Sequence, residues 1–398
     1  MNCLIIGKVW PEPSSTAAGR RTCDIIIALQ LEGWQLHFAC SAQQSAHALD
    51  LALLNVQTHR IAVNDAGFDS WVQALAPDVV IFDRFMTEEQ FGWRVAQHCP
   101  QALRVLDTSD LHCLRLARQE ALKHGGEPQL HNETALREIA SIYRSDLTLM
   151  ISDFEMQVLR REFSIAQDLL AYWPFAVPPL PEPAPFEARQ HFILIGSFLH
   201  PPNLDAARWC KQSIWPEIRA ALPQAELHCY GSYGDRYAGE LHAPKQGFHF
   251  RGRAEDALRT MAQYRVNLAP LRYGAGLKGK VFDGFQSGTP TVMTPIAAEG
   301  IGPLADWSHA QPAAFVAEAV QLHRDASAWQ ARQAAERALC EERFSAAHWQ
   351  PQLLHTLELA IEARERRRQQ NFIGQMLRHH QHRSTEFMSR WIEAKNQL

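Results

Sequence analysis

The sequence predicts an α/β protein made of two doubly wound, parallel-sheet domains that face a cleft, with a C-terminal helical extension. Three observations predict it. Short, wholly apolar runs alternate with helical stretches, the pattern of strands buried on both faces of a parallel sheet. Five prolines within residues 177–185 interrupt that alternation, and neither a helix nor a central strand accommodates them. The chain has 398 residues, of which 46% are hydrophobic and 21% charged. That length supports two separate cores at about 100–200 residues each.

The elements follow in order. The run Cys3-Leu4-Ile5-Ile6-Gly7 reads as a buried strand. A loop with Pro11, Pro13, Ser14 and Ser15 leads to a helix over 20–30, closed by Gly33, and a strand over 34–40. This βαβ unit is similar to the opening of a nucleotide-binding domain. Strands over 77–82, 103–106 and 147–152 alternate with helices over 88–98, 111–143 and 153–163. After the prolines the pattern restarts. Strands at 192–196, 226–231, 248–251, 266–270 and 291–294 are interleaved with helices at 203–222, 254–263 and 280–287. Helical sequence runs from about 312 to the end. The predicted division is a first domain over 1–176, a linker over 177–189, a second domain over 190–345 and terminal helices over 346–398.

Composition narrows the function classes. The net charge is −4, with 39 basic and 43 acidic residues, so the chain is not coated for nucleic acid. No apolar run approaches the roughly 18 residues of a membrane span. The eight cysteines form no C-x-x-C pair, and the N-terminus lacks a signal-peptide pattern. A cytoplasmic protein is expected, with peripheral contact at the inner membrane surface open. The charge is uneven: from Pro351 on there are eight basic and five acidic residues. Three readings of that extension stand: a capping or oligomerising helix, an anchor on an anionic surface, or an RNA contact.

The segment richest in chemistry is Leu268-Ala269-Pro270-Leu271-Arg272-Tyr273-Gly274-Ala275-Gly276-Leu277-Lys278-Gly279-Lys280-Val281-Phe282-Asp283. A strand enters a glycine-rich turn and the turn enters a helix. Glycines admit close backbone approach, and the helix start offers free N–H groups and a positive dipole end to a phosphate. Lys278 and Lys280 add charge there. Asp283, one turn inside, is placed to accept hydrogen bonds from ribose hydroxyls. The plain alternative is a glycine turn with solvated lysines.

The whole segment resembles the donor-binding region of glycosyltransferase family 4. Ile195-Gly196-Ser197-Phe198 with Pro202-Asn203-Leu204-Asp205-Ala206, and Gly19-Arg20 in the first loop, resemble that family too. The resemblance spans about 1–345. It implies the GT-B fold of two Rossmann-like domains, a nucleotide-sugar donor, and transfer with retention to an acceptor hydroxyl. It implies that Gly274, Ala275, Gly276 and Leu277 present amides to the donor diphosphate. Lys278 or Lys280 would neutralise it, helped by Arg272 or Arg253. Asp283 would hold the ribose. Gly196 would admit the diphosphate, Gly19 would close over it, and Arg253 and Ala254 would lie near the base.

His112 matches a histidine near the sugar; its alternative is a residue at a helix start capped by Asp110. His112 and Lys280 are the candidate catalytic residues. The family's first glutamate falls on Ala275. No D-x-D occurs in the chain, so neither metal nor another cofactor is expected. The cluster His379, His380 and His382 is read as structural. Three classes remain: a glycosyltransferase with an unidentified acceptor (glycan, lipid-linked sugar, protein or modified nucleoside), a GT-B nucleotide-sugar epimerase, or a catalytically silent binding protein.

Overall fold

The computed structural model describes residues 1–302 and 307–396, without the side chains of Gln381 and His382. The first domain carries a seven-stranded sheet: β1 (Asn2–Gly7), β2 (Gln35–Cys40), β3 (Gln57–Arg60), β4 (Val79–Asp83), β5 (Leu103–Asp107), β6 (Leu147–Met150) and β7 (Leu170–Tyr172). Its order is β3-β2-β1-β4-β5-β6-β7. The second carries β8 (Gln190–Ile195), β9 (Leu227–Tyr230), β10 (Phe248–Gly252), β11 (Tyr264–Ala269) and β12 (Thr291–Met293), in the order β10-β9-β8-β11-β12. Adjacent strands within both sheets pair in parallel. In each sheet the chain runs outward from the first strand one way and then reverses, so a crevice opens beyond the C-terminal strand ends at that reversal.

Helices cover the sheets. On one face of the first sheet Ile5, Phe38, Ile81 and Val105 pack with Ile25, Ile26 and Leu29 of the helix Ala17–Leu31. Leu4, Ile6, Phe82 and Leu106 fill the other face. The helix expected over 111–143 is two helices, His112–His124 and Glu133–Arg144. Gly125 and Gly126 take positive φ between them (78° and 97°), and Asn132 caps the second helix by accepting from the Ala135 amide. The helix expected over 203–222 begins at Pro201 and carries a π-helical turn, Cys210–Ile214, before Trp215–Ala221.

The domains are joined at two adjacent crossings. The Val177 amide donates to Phe344 O and the Ala346 amide to Val177 O, both at 2.7 Å. Arg189, buried, fastens the linker to the second domain through Ala184 O, Thr289 Oγ1 and Ser287 O. The helix Ala346–Glu362 then returns to the first domain, where Leu353, Leu354 and Leu357 join its core. The basic extension folds onto that domain as well. Arg368 forks onto Asp146 at 2.7 and 2.8 Å, Arg364 holds Gln101, and Arg94 meets Ser389 and Glu393. Phe372, Ile373, Met376, Phe387, Met388 and Trp391 stay exposed.

Candidate donor site in the interdomain cleft

A cavity of about 420 Å³ lies where the two crevices meet, lined by both domains. Strand ends explain its lining. Arg84 follows β4, Ser109 and Asp110 follow β5, Gly196 follows β8, Arg253 follows β10, and the turn from Leu271 to Lys280 follows β11. Two of these residues hold strained backbone, Arg84 at φ 70° and Ser109 at φ 59°, a conformation that persists where the surroundings enforce it. Arg84 is locked by a fork onto Asp83 at 3.0 and 2.8 Å.

The charge is strongly cationic. Arg20, Arg84, Arg115, Arg253, Lys278 and Lys280 line the cavity, with His112 and His200, against Asp110 and Asp283. Burial pushes Lys280 down to about 8, with Cys229 and Asp283 opposing it. Its ammonium donates to Asn203 Oδ1. Burial also lowers Lys278, with Glu299 and Glu155 opposing. Its ammonium donates to Gly276 O at 2.7 Å and lies 3.6 Å from Glu299. Burial depresses the Arg20 guanidinium, and Asp283 more than restores it; the pair is 2.5 Å apart. No side chain caps the helix Gly279–Ser287 at Lys278. Its start, with Gly279 and Lys280, forms part of the wall, so the positive end of the dipole serves the cavity.

The first domain reaches over the cleft. Arg253 donates to Ser14 Oγ at 2.8 Å, and the Tyr233 hydroxyl donates to Glu12 at 2.8 Å. Gly19 stands under this loop: a Cβ there would lie 2.5 Å from the Glu12 amide nitrogen. Glu155 ties the halves from below, since its Oε1 accepts from the Leu111 amide at 2.8 Å and the Gly276 amide at 2.7 Å. Burial first, then Asp110, pushes Glu155 up to about 8.

The predicted residues divide accordingly. His112, Lys280, Gly196, Arg253, Gly274, Ala275, Leu277, Lys278 and Asp283 line the cavity. Gly19 lies behind the loop rather than on the wall. Arg272 forks onto Asp205 outside the lining, so the opposite charge on its own domain has claimed it. The Gly276 amide is taken by Glu155, and Gly276 itself is not part of the cavity wall. Asp110 is not the helix cap beside His112. Glu138 accepts from the His112 and Cys113 amides at 3.0 Å each. Asp110 instead meets His112 Nε2 at 3.2 Å and Arg115 at 2.7 Å. Burial raises the Asp110 carboxyl, but Arg115 and His112 together hold it well below the usual range. The first-domain contributors Arg20, Arg84 and Arg115 were absent from the predicted set. Taking the two residues after each predicted strand end would have found Arg84.

Comparison with known proteins accords with this geometry. Residues 189–325 match the family model described as Glycosyl transferases group 1. HepE of Anabaena, in complex with UDP and glucose, superposes with a TM-score of 0.67 at 13% identity, covering 90% of this chain and 99% of that one. Sucrose-phosphate synthase of Thermosynechococcus elongatus gives 0.64 at 13% identity, covering 91% and 100%. WaaG, a glycosyltransferase involved in lipopolysaccharide biosynthesis, gives 0.62 at 11% identity, covering 89% and 98%. No curated protein sequence matches the chain. At such identities the structural likeness is one of fold, and the fold is GT-B: two Rossmann-like domains facing a cleft, of which the second matches a glycosyl transferase model.

Proposed function

We propose that the protein is a metal-independent, retaining glycosyltransferase of the family 4 type, which moves a sugar from a nucleotide-sugar to an acceptor hydroxyl. The convergence of six Lys and Arg side chains and an uncapped helix start on one interdomain cavity carries this reading. Such a site suits a diphosphate whose negative charge grows as the sugar leaves. Lys280 and Lys278 would neutralise that charge, and the amides at Gly279 and Lys280 would orient it. Asp283 would hold the ribose. His112, oriented by Asp110, would face the sugar. The leaving diphosphate would take the acceptor proton, so no protein base is required. Bridging of the domains by Arg253 and Tyr233 would exclude water during transfer. The neighbour solved with UDP and glucose makes a UDP-sugar the first donor to test.

Ala275 supports a second reading, a binding protein without turnover. It lines the cavity at the position where the resemblance places the family's first glutamate. Incubation with donor and a panel of acceptors separates the two: an enzyme releases nucleoside diphosphate in step with glycosylated acceptor, and a binding protein releases none. Free sugar of altered stereochemistry without acceptor would identify an epimerase.

No helix among the described residues is long and apolar enough to cross a membrane. The eight cysteines are free and buried, which supports a reducing, cytoplasmic setting. The exposed apolar residues of the extension, set among Arg383, Arg390 and Lys395, support contact with an anionic surface or a second copy. Pelleting with anionic vesicles, compared with sedimentation of the free protein, distinguishes these.

A further inference from the structure

Strand β9, with Glu226 just before it, and strand β10 bring together Glu226, His228 and His249, although His249 lies 21 residues beyond His228 in the sequence. Glu226 and His228 are two residues apart, so they share one sheet face. His249 stands opposite His228 in the parallel register. Glu226 Oε2 is 2.8 Å from His228 Nε2 and 3.6 Å from His249 Nε2. One ligand atom from each of the three lies within 4.8 Å of the others. None of the three lines the cleft cavity.

We propose that Glu226, His228 and His249 form a binding site for a zinc-class divalent cation, which staples the edge strand β10 to β9. The spacing suits it. Bonds of about 2.0–2.1 Å in a tetrahedral shell place ligand atoms about 3.3 Å apart, between the two distances measured here. His249 Nε2 is buried and has no hydrogen-bond partner, so a cation would satisfy an otherwise orphaned atom. The other ring nitrogen is already anchored: His228 Nδ1 is 2.7 Å from the Tyr264 hydroxyl, so Nε2 is the nitrogen that faces the metal. Two imidazoles and one carboxylate favour zinc or its late transition-metal neighbours over magnesium or calcium. Arg251 Nη2 lies 3.1 Å from His228 Nε2, competes for that nitrogen and must swing outward on loading. Its side chain is exposed.

The site communicates with the cleft by hydrogen bonds. Tyr264 Oη is 2.9 Å from Tyr230 Oη, and Tyr230 lines the cavity. A cation on His228 Nε2 fixes the proton on Nδ1 and so sets the direction of this chain of hydroxyls.

The test is thermal unfolding of untagged, chelator-treated full-length protein with and without excess ZnCl2. Alongside it run His249→Ala, Glu226→Gln and, to remove the histidine cluster of the extension, His379→Ala/His380→Ala/His382→Ala. Zinc at a hundred times its Kd shifts the folding equilibrium by about 100-fold. The proposal expects that stabilisation in the wild type and in the triple variant, with loss of most of it in His249→Ala and Glu226→Gln. Each variant is compared with its own metal-free transition, so a change in basal stability does not interfere. Absence of any zinc effect in the wild type overturns the proposal. So does full retention of the effect in His249→Ala, or its loss only in the triple variant.

Discussion

Arg20 and Asp283 face each other across the cleft at 2.5 Å, one from each domain. The carboxylate proposed to hold the donor's ribose is thus already paired with a first-domain cation. Asp283→Ala removes the acceptor for two ribose hydroxyls. A hydrogen bond to a charged group is worth about 1.5–3 kcal/mol, and Arg20 already satisfies part of this carboxylate, so the net loss should be about that of one bond, roughly 10- to 100-fold in nucleoside diphosphate affinity by calorimetry, with a cooperative unfolding transition retained. Unchanged affinity would remove Asp283 from the site.

Lys280 gives the site a pH dependence. Burial lowers it to about 8. The ammonium is therefore present at pH 7 and lost as pH rises. Diphosphate affinity should fall above about pH 8, approaching tenfold per unit. Lys280→Arg keeps its charge at every such pH and should flatten the profile. A wild-type affinity constant to about pH 9.5 would contradict the role.

Glu155 holds one amide from each domain. Glu155→Ala leaves the Leu111 and Gly276 N–H groups without that acceptor, at about 1–3 kcal/mol each when buried. Glu155→Gln keeps an amide oxygen and removes a buried acid, so it should be far milder. Denaturant melts of the two variants check the order, and equal losses would refute it.

Asp146 reports on the extension. Burial raises its carboxyl, but Arg368 and Arg104 bring it down to about 2. A depressed carboxyl contributes stability above its unfolded value, and that contribution disappears as pH falls through the folded one. Arg368→Ala should therefore be destabilising at neutral pH, with the gap to wild type narrowing as pH falls through the carboxyl range towards 2. Equal stability at neutral pH would show that the extension is not held by this pair.

The two-sheet plan was legible because buried parallel strands such as Leu4–Ile6 and Val79–Phe82 are continuous apolar runs. The missed strands have other patterns: β3 is Gln-Thr-His-Arg on an edge, mostly exposed, and β7 has three residues. Lys278, Lys280 and Asp283 were legible because strand, turn and helix lie together in the chain. Arg84 and Arg115 were not, because each is a single arginine whose place depends on how distant strand ends converge. The same holds for His228 and His249, which become neighbours only through strand register. Glycines at 125 and 126 could have divided the helix over 111–143, since they precede Pro128 and a capping Asn132.

The most direct test of the central claim is nucleoside diphosphate binding to the cleft. Thermal unfolding in EDTA with UDP, GDP, ADP, CDP and dTDP, each with its sugar conjugates, should give clear stabilisation by one base, about 2.7 kcal/mol at a hundred times Kd. Lys280→Ala and Asp283→Ala should lose it. Stabilisation by none of the five, or equal stabilisation of both variants, would contradict a donor site built from Lys280 and Asp283.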